Sequence, residues 1–152
     1  MRLAVGGDHA GFALKGLLIA TLRGDGHEVR DFGAYSPEPV DFPDVARLVC
    51  GAVLAGEVAR GIMVCGTGVG ASIAANKIPG IRAAVCHDLY SAHQGVEHDD
   101  VNVLCLGAQI VGELMARELA RTFLTARFDG SEEFRRRVAK LAELDRARAG
   151  AS

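Results

Sequence analysis

Gly61-Ile62-Met63-Val64-Cys65-Gly66-Thr67-Gly68-Val69-Gly70-Ala71-Ser72-Ile73-Ala74-Ala75-Asn76 is the stretch whose reading decides the fold. The apolar run Gly61–Val64 reads as a buried strand. The glycines read as a tight turn, and Ala71–Asn76 as a helix. Strand, glycine loop and helix start are how a parallel α/β fold builds an anion site. Backbone N–H groups converge at the helix N-terminus, and the helix dipole adds positive potential there. A cysteine at the mouth of such a loop is expected to be a thiolate. The loop is therefore expected to hold a small oxyanionic ligand, with Cys65 moving its protons.

Outward from this unit the same alternation repeats. Before it come a strand from Arg2 to Gly6 and a helix from about Phe12 to Arg23, with Phe12, Leu14, Leu17, Leu18 and Leu22 at helical spacing. A short strand follows from His27 to Phe32, then a proline-bearing loop from Gly33 to Pro43, and a helix from about Asp44 to Ala55. After it come a strand from Ile81 to Cys86, a helix from about Leu89 to Glu97 and a strand from Val103 to Leu106. A helix from about Glu113 to Ala126 follows, with Leu114, Met115, Leu119, Phe123 and Leu124 expected on its buried side. Five strands alternating with helices predict a Rossmann-like three-layer α/β sandwich, a parallel sheet with helices on both faces. Ligands of such folds sit beyond the carboxyl ends of the strands. Asp8 and His9, Cys65 and Thr67, and His87 and Asp88 fall at such ends. His98 and Asp99 fall just before the last strand. A final helix, about Glu132 to Arg148, carries only a thin stripe of Phe134, Val138, Leu141 and Leu144 among many arginines. It is expected to lie on a neighbouring subunit; the alternative is a solvated surface helix.

The 152 residues, 49% of them apolar, suit one domain spanning 1–152. A net charge of −2 with both signs mixed argues against a nucleic-acid or membrane partner. No apolar run approaches the ~20 residues of a membrane span. The N-terminus opens on a strand without a signal-peptide pattern, and the four scattered cysteines read as reduced thiols, so the expected location is cytoplasmic.

Several loop chemistries are excluded. A nucleotide P-loop requires a lysine that neither glycine cluster has. A dinucleotide fingerprint requires one more residue than Gly66–Gly70 supplies. A cysteine phosphatase would want an arginine where Ala71 stands. His93 and His98 are not spaced as a helical metal pair, so no metal is expected. What remains is a loop of free amides beside a thiol. If the substrate is a sugar that can become an enediolate, aldose–ketose interconversion needs one base to move a proton between neighbouring carbons and donors to hold the enediolate oxygens. Cys65 fits the base, the amides of Gly66, Gly68, Val69 and Gly70 the donors, and Thr67 a hydroxyl relay. His98 fits the ring-opening acid, and Asp8 a guide for a ring or hydroxyl oxygen. Each has a plainer alternative: an inert buried thiol for Cys65, an Asx turn for Asp8-His9, a solvated helix end for His98. His87 and His27 read as structural or surface residues.

Gly7-Asp8-His9-Ala10-Gly11, Cys65–Gly70, Ala74-Ala75-Asn76-Lys77 and Glu97-His98-Asp99-Asp100-Val101-Asn102-Val103 together resemble type B ribose-5-phosphate isomerase, whose wider group includes galactose-6-phosphate isomerase. The resemblance covers nearly the whole chain in order. It implies a sugar or sugar-phosphate substrate, no cofactor, a homodimer or homotetramer, and active sites completed across subunits. It makes Cys65 the isomerisation base with Thr67 beside it, associates His98 and Asp8 with ring opening, and gives His9 and several arginines to the phosphate. A non-catalytic sugar- or phosphate-binding module on the same fold is the rival reading, though a binder needs no thiol.

The departures from that pattern gather at the phosphate end. Gln109 and Glu133 stand where the family usually has arginines, Asp99 replaces an asparagine and Phe42 a tyrosine, while Arg137 is retained. Charge-assisted hydrogen bonds are worth roughly 1.5–3 kcal/mol each, so two lost arginines cost about 3–6 kcal/mol, on the order of 10²–10⁴ in affinity for a phosphate. Glu133 and Asp99 add repulsion. The expectation is an isomerase of shifted substrate, either another four- to six-carbon sugar phosphate or a sugar without phosphate.

Overall fold

A computed structural model of the chain describes residues 1–150, with the backbone alone at Arg148 and Ala149; the last two residues of the expected domain, 151 and 152, lie outside the described residues. Eleven elements follow one another as β1 (Arg2–Gly7), α1 (Phe12–Gly24), β2 (Glu28–Asp31), α2 (Phe42–Leu54), β3 (Arg60–Cys65), α3 (Val69–Asn76), β4 (Ala83–Val85), α4 (Leu89–Asp99), β5 (Val103–Gly107), α5 (Glu113–Thr125) and α6 (Glu132–Ala149). The five strands form one sheet in the order β2-β1-β3-β5-β4, and every pair is parallel. This is the Rossmann-like α/β architecture that the alternation of elements predicts.

Side chains alternate across each strand, so β3 feeds both layers. Ile62 and Val64 pack with Leu18, Leu22, Leu104, Leu106, Leu119 and Phe123 on the face covered by α1, α4 and α5. Met63 and Cys65 pack with Val45, Val49, Cys50, Ala71, Ala75 and Cys105 on the face covered by α2 and α3. Cys65 thus points into the smaller-residue layer.

Local chemistry moved several boundaries. α2 starts at Phe42 rather than Asp44, because Pro43 is tolerated in a helix's first turn. β4 shrinks to three residues because Arg82 N–H is taken by the Asn102 side chain at 2.8 Å. Leu114 and Met115 face solvent, and α5 buries Ala116, Leu119, Ala120, Phe123 and Leu124 instead. In α1 the buried set includes Lys15, not Phe12. β4 is an edge strand, and the Asn76 side chain brackets its Ala83, accepting the N–H at 2.9 Å and donating to the carbonyl at 2.8 Å. The final helix leans on its own chain: Phe134 stacks on His98, and the Asp145 carboxylate accepts Gly80 N–H at 2.8 Å, while Leu141 and Leu144 stay open.

Candidate active site

Gly7 pairs with Val64 across β1 and β3, so Asp8, the residue after β1, lies beside Cys65, the last residue of β3. Both are buried. The β1–α1 turn is pressed onto β3 so closely that a Cβ on Gly11 would stand 1.9 Å from the Val64 carbonyl oxygen. Only glycine fits there. The turn closes on Asp8, whose Oδ1 accepts Gly11 N–H at 3.1 Å.

This neighbourhood overturns the thiolate expectation. Burial, and then the Asp8 carboxylate, push the Cys65 thiol up to about 12. The first helical residue is Val69, four positions after Cys65, so the helix terminus offers the sulfur too little positive potential to offset burial. The resting residue is a thiol hydrogen-bonded with Asp8.

The loop beyond Cys65 is as expected from its glycines. Gly68 caps α3 at φ +80°, a left-handed conformation suited to glycine. Thr67 is exposed, and its Oγ1 accepts Val69 N–H at 3.3 Å. The Phe42 ring closes over Gly70, where a Cβ would meet it at 2.8 Å. Gln109 folds over Gly66: its N–H bonds the Gly66 carbonyl at 2.9 Å, and its side-chain amide lies beside the Gly66 Cα. His9 is exposed, and its Nδ1 accepts Val40 N–H at 3.3 Å, tying the 33–41 loop to this mouth. His87, read from sequence as structural or surface, lies beside this loop: its Nε2 accepts Gly107 N–H at 2.9 Å, next to where β5 meets Thr67. Asp88 caps α4 through Ser91 N–H at 2.7 Å, which holds its carboxyl below the usual value.

Asp8, His9, Cys65, Gly66, Thr67, Gly68, Val69, Gly70 and Gln109 therefore gather at the carboxyl ends of the strands. His98, Asp99, Glu133 and Arg137 do not join them within one chain. α4 leaves the carboxyl end of β4 and runs back across the sheet, so His98 sits near the start of β5. Eleven helical residues at ~1.5 Å and a six-residue strand at ~3.3 Å both put His98 roughly 15 Å from Cys65. At that far end the His98 ring stacks on Phe134 with centroids 4.2 Å apart, and Glu97 lies 3.9 Å from its Nε2. Asp99 is exposed, and Glu133 pairs with Arg137 along α6. The separation follows from the return direction of a helix after a parallel strand, and it fits the expectation that active sites are completed across subunits.

Among the described residues no group of three or more His, Cys, Asp or Glu could hold a metal ion, and no helix is long and apolar enough to cross a membrane.

A family profile described as Ribose/Galactose Isomerase matches residues 3–141. The "Ribose-5-phosphate isomerase B" of Escherichia coli strain K12 is 44% identical over 147 residues, 97% of this chain and 98% of the other. The "D-erythrulose-4-phosphate isomerase" of Pectobacterium atrosepticum is 40% identical over 132 residues, 86% of each. A solved structure of Clostridium thermocellum ribose-5-phosphate isomerase B superposes with a TM-score of 0.94 at 46% identity, covering 97% of this chain and 99% of that one. Fold and relatives together define the class, an aldose–ketose isomerase. The chain belongs to the ribose/galactose isomerase family.

Proposed function

We propose that this protein interconverts an aldose and a ketose of four to six carbons through a cis-enediolate, with Cys65 as the base that carries the proton between carbons. The observation that carries the reading is the buried Cys65 thiol held against the Asp8 carboxylate beside the open Gly66–Gly70 loop. Cys65 passes its proton to Asp8, and the thiolate then takes the proton of the carbon next to the carbonyl, exchanges part of it with solvent, and returns a proton to the neighbour. Protonated Asp8 is an acid beside a ring or hydroxyl oxygen. The amides of Gly66, Gly68, Val69 and Gly70 donate to the enediolate oxygens, and Thr67 relays hydroxyl protons. The proton transfer is internal and redox-neutral, so it calls for no cofactor.

The two half-sites at opposite ends of the sheet favour a homo-oligomer, a dimer or tetramer, in which His98 of one copy opens the ring for Cys65 of another. The open leucines of α6 suit packing on that copy. His9, Gln109, Asp99, Glu133 and Arg137 line the far end of the substrate. There Glu133 neutralises Arg137 and Asp99 adds a negative charge, which disfavours a doubly charged phosphate. The substrate is accordingly shifted from ribose 5-phosphate, either to another sugar phosphate or to a sugar without one. That a relative of 40% identity is named for a four-carbon phosphate supports such plasticity. The protein is read as one cytoplasmic domain.

An isomerase assay across four- to six-carbon sugars, with and without phosphate, in deuterated water tests this. The expected result is solvent deuterium at the carbon next to the carbonyl, with turnover best on a substrate other than ribose 5-phosphate. Ribose 5-phosphate turned over most efficiently would refute the substrate shift, and product without solvent deuterium would refute the proton transfer.

A further inference from the structure

Among the described residues Lys15 is one of the largest side chains wholly inside the protein, 1% exposed, four residues into α1. Its Nζ donates to Asp31 Oδ1 at 2.6 Å and lies 5.6–5.8 Å from the Tyr35 and Phe12 rings. The same Asp31 oxygen accepts Gly33 N–H at 2.9 Å, and the Asp31 carbonyl accepts the Tyr35 hydroxyl at 3.0 Å. Gly33 and Ala34 then grip Gly7 from both sides: the Gly33 carbonyl accepts Gly7 N–H at 2.7 Å, and Ala34 N–H donates to the Gly7 carbonyl at 2.6 Å. Gly7 is the residue before Asp8. An unbroken chain of contacts thus runs from the Lys15 ammonium to the peptide that aims the Asp8 carboxylate. The Lys15 backbone closes the circuit, since its N–H bonds the carbonyl of Gly11, whose own N–H holds Asp8.

A buried ion pair is weak evidence for stability, because well-packed apolar residues in its place are often as stable or more so. A charge kept in the core one turn beyond the site's first loop answers instead to geometry. We propose that Lys15 is a positioning residue, which through Asp31 and Gly33 fixes the Asp8 carboxylate against the Cys65 thiol. The proposal rests on the catalytic reading of Cys65 and Asp8 only for its effect on turnover. Its effect on the thiol is independent of any substrate.

The groups facing Cys65 are Asp8 from the β1–α1 turn and the buried thiols of Cys50 and Cys105 from α2 and β5. Of these only Asp8 is a carboxyl group, and it raises the thiol through its charge. Letting it drift therefore makes the thiol easier to ionise. The test uses the full-length protein, Lys15→Met, and the double variant Lys15→Met/Asp31→Leu, whose apolar pair keeps the core filled. Alkylation of Cys65 by iodoacetamide is followed against pH by peptide mass, alongside thermal melting and kcat and KM on the best sugar found. The expected result is a Cys65 profile displaced by about one pH unit to lower pH. The double variant should melt near the parent and yet lose tenfold or more in kcat, with little change in KM. A folded double variant with the parental alkylation profile overturns the proposal, whatever its turnover. An active Cys65→Ala protein would instead overturn the catalytic reading and leave the alkylation test of Lys15 standing.

Discussion

Replacing Asp8 by asparagine should make the Cys65 thiol more acidic and the enzyme worse. The two side chains leave adjacent strand ends and are both buried, so a thiolate and a carboxylate there repel across little water. Two unit charges ~4 Å apart at an effective dielectric near 20 repel by about 4 kcal/mol, equivalent to roughly three pH units. Burial is the larger cause of the elevation and survives the substitution, so about one to two of those units should be recovered. From a starting value of about 12, the thiol should then ionise near 10 or 11. Sign and window follow: alkylation of Cys65 at a fixed pH of 9 should accelerate on the order of ten- to a hundred-fold. The other three cysteines are buried away from Asp8 and serve as internal references in the same digest. Turnover should fall at least a hundred-fold, because asparagine can neither take the thiol proton nor return it to a sugar oxygen. An unmoved Cys65 profile, or one displaced to higher pH, would refute the pairing of these groups.

Cys65→Ala should abolish turnover while circular dichroism and melting stay near the parent, since only one sulfur leaves the α2/α3 layer. Gln109→Arg with Glu133→Arg should tighten binding of phosphorylated sugars ten-fold or more by titration calorimetry; unchanged affinity would show that the far end is not set by these residues. Gly11→Ala demands that Val64 or the turn retreat by more than 1 Å, so about 3 kcal/mol or more of stability should vanish in urea titrations. A parental midpoint for that variant would mean that the β1–α1 turn is not pressed on β3 as described.

The architecture could be read from Gly61–Asn76 and its echoes because parallel α/β units repeat one local grammar, an apolar run, a glycine turn and a helix. Strand order could not, since β5 inserts between β3 and β4 through contacts that no local pattern encodes. The acidity of Cys65 is not legible in the sequence for a related reason. The loop sequence suggests a helix terminus nearby, but burial of the thiol comes from the α2/α3 layer and its repulsion from Asp8, fifty-seven residues earlier. The chemistry of His98 pairs it with Cys65, and the direction of α4 places it at the other end of the sheet, where only another copy's Cys65 could meet it. A lysine at a helical position reads as solvent-facing, and only the return of β2 beside α1 buries Lys15 against Asp31.

The bracket that Asn76 puts on Ala83 also bears on how copies of this chain can associate. An exposed strand edge is a template on which one molecule can add its sheet to the next without limit. Here the Asn76 side-chain amide already occupies the backbone N–H and carbonyl of Ala83, the first residue of that edge strand, so a second chain cannot pair with β4 at its start. At this edge of the sheet the bracket works against the open-ended stacking that ends in fibres, and leaves helix faces as the surfaces on which contacts can close into finite assemblies.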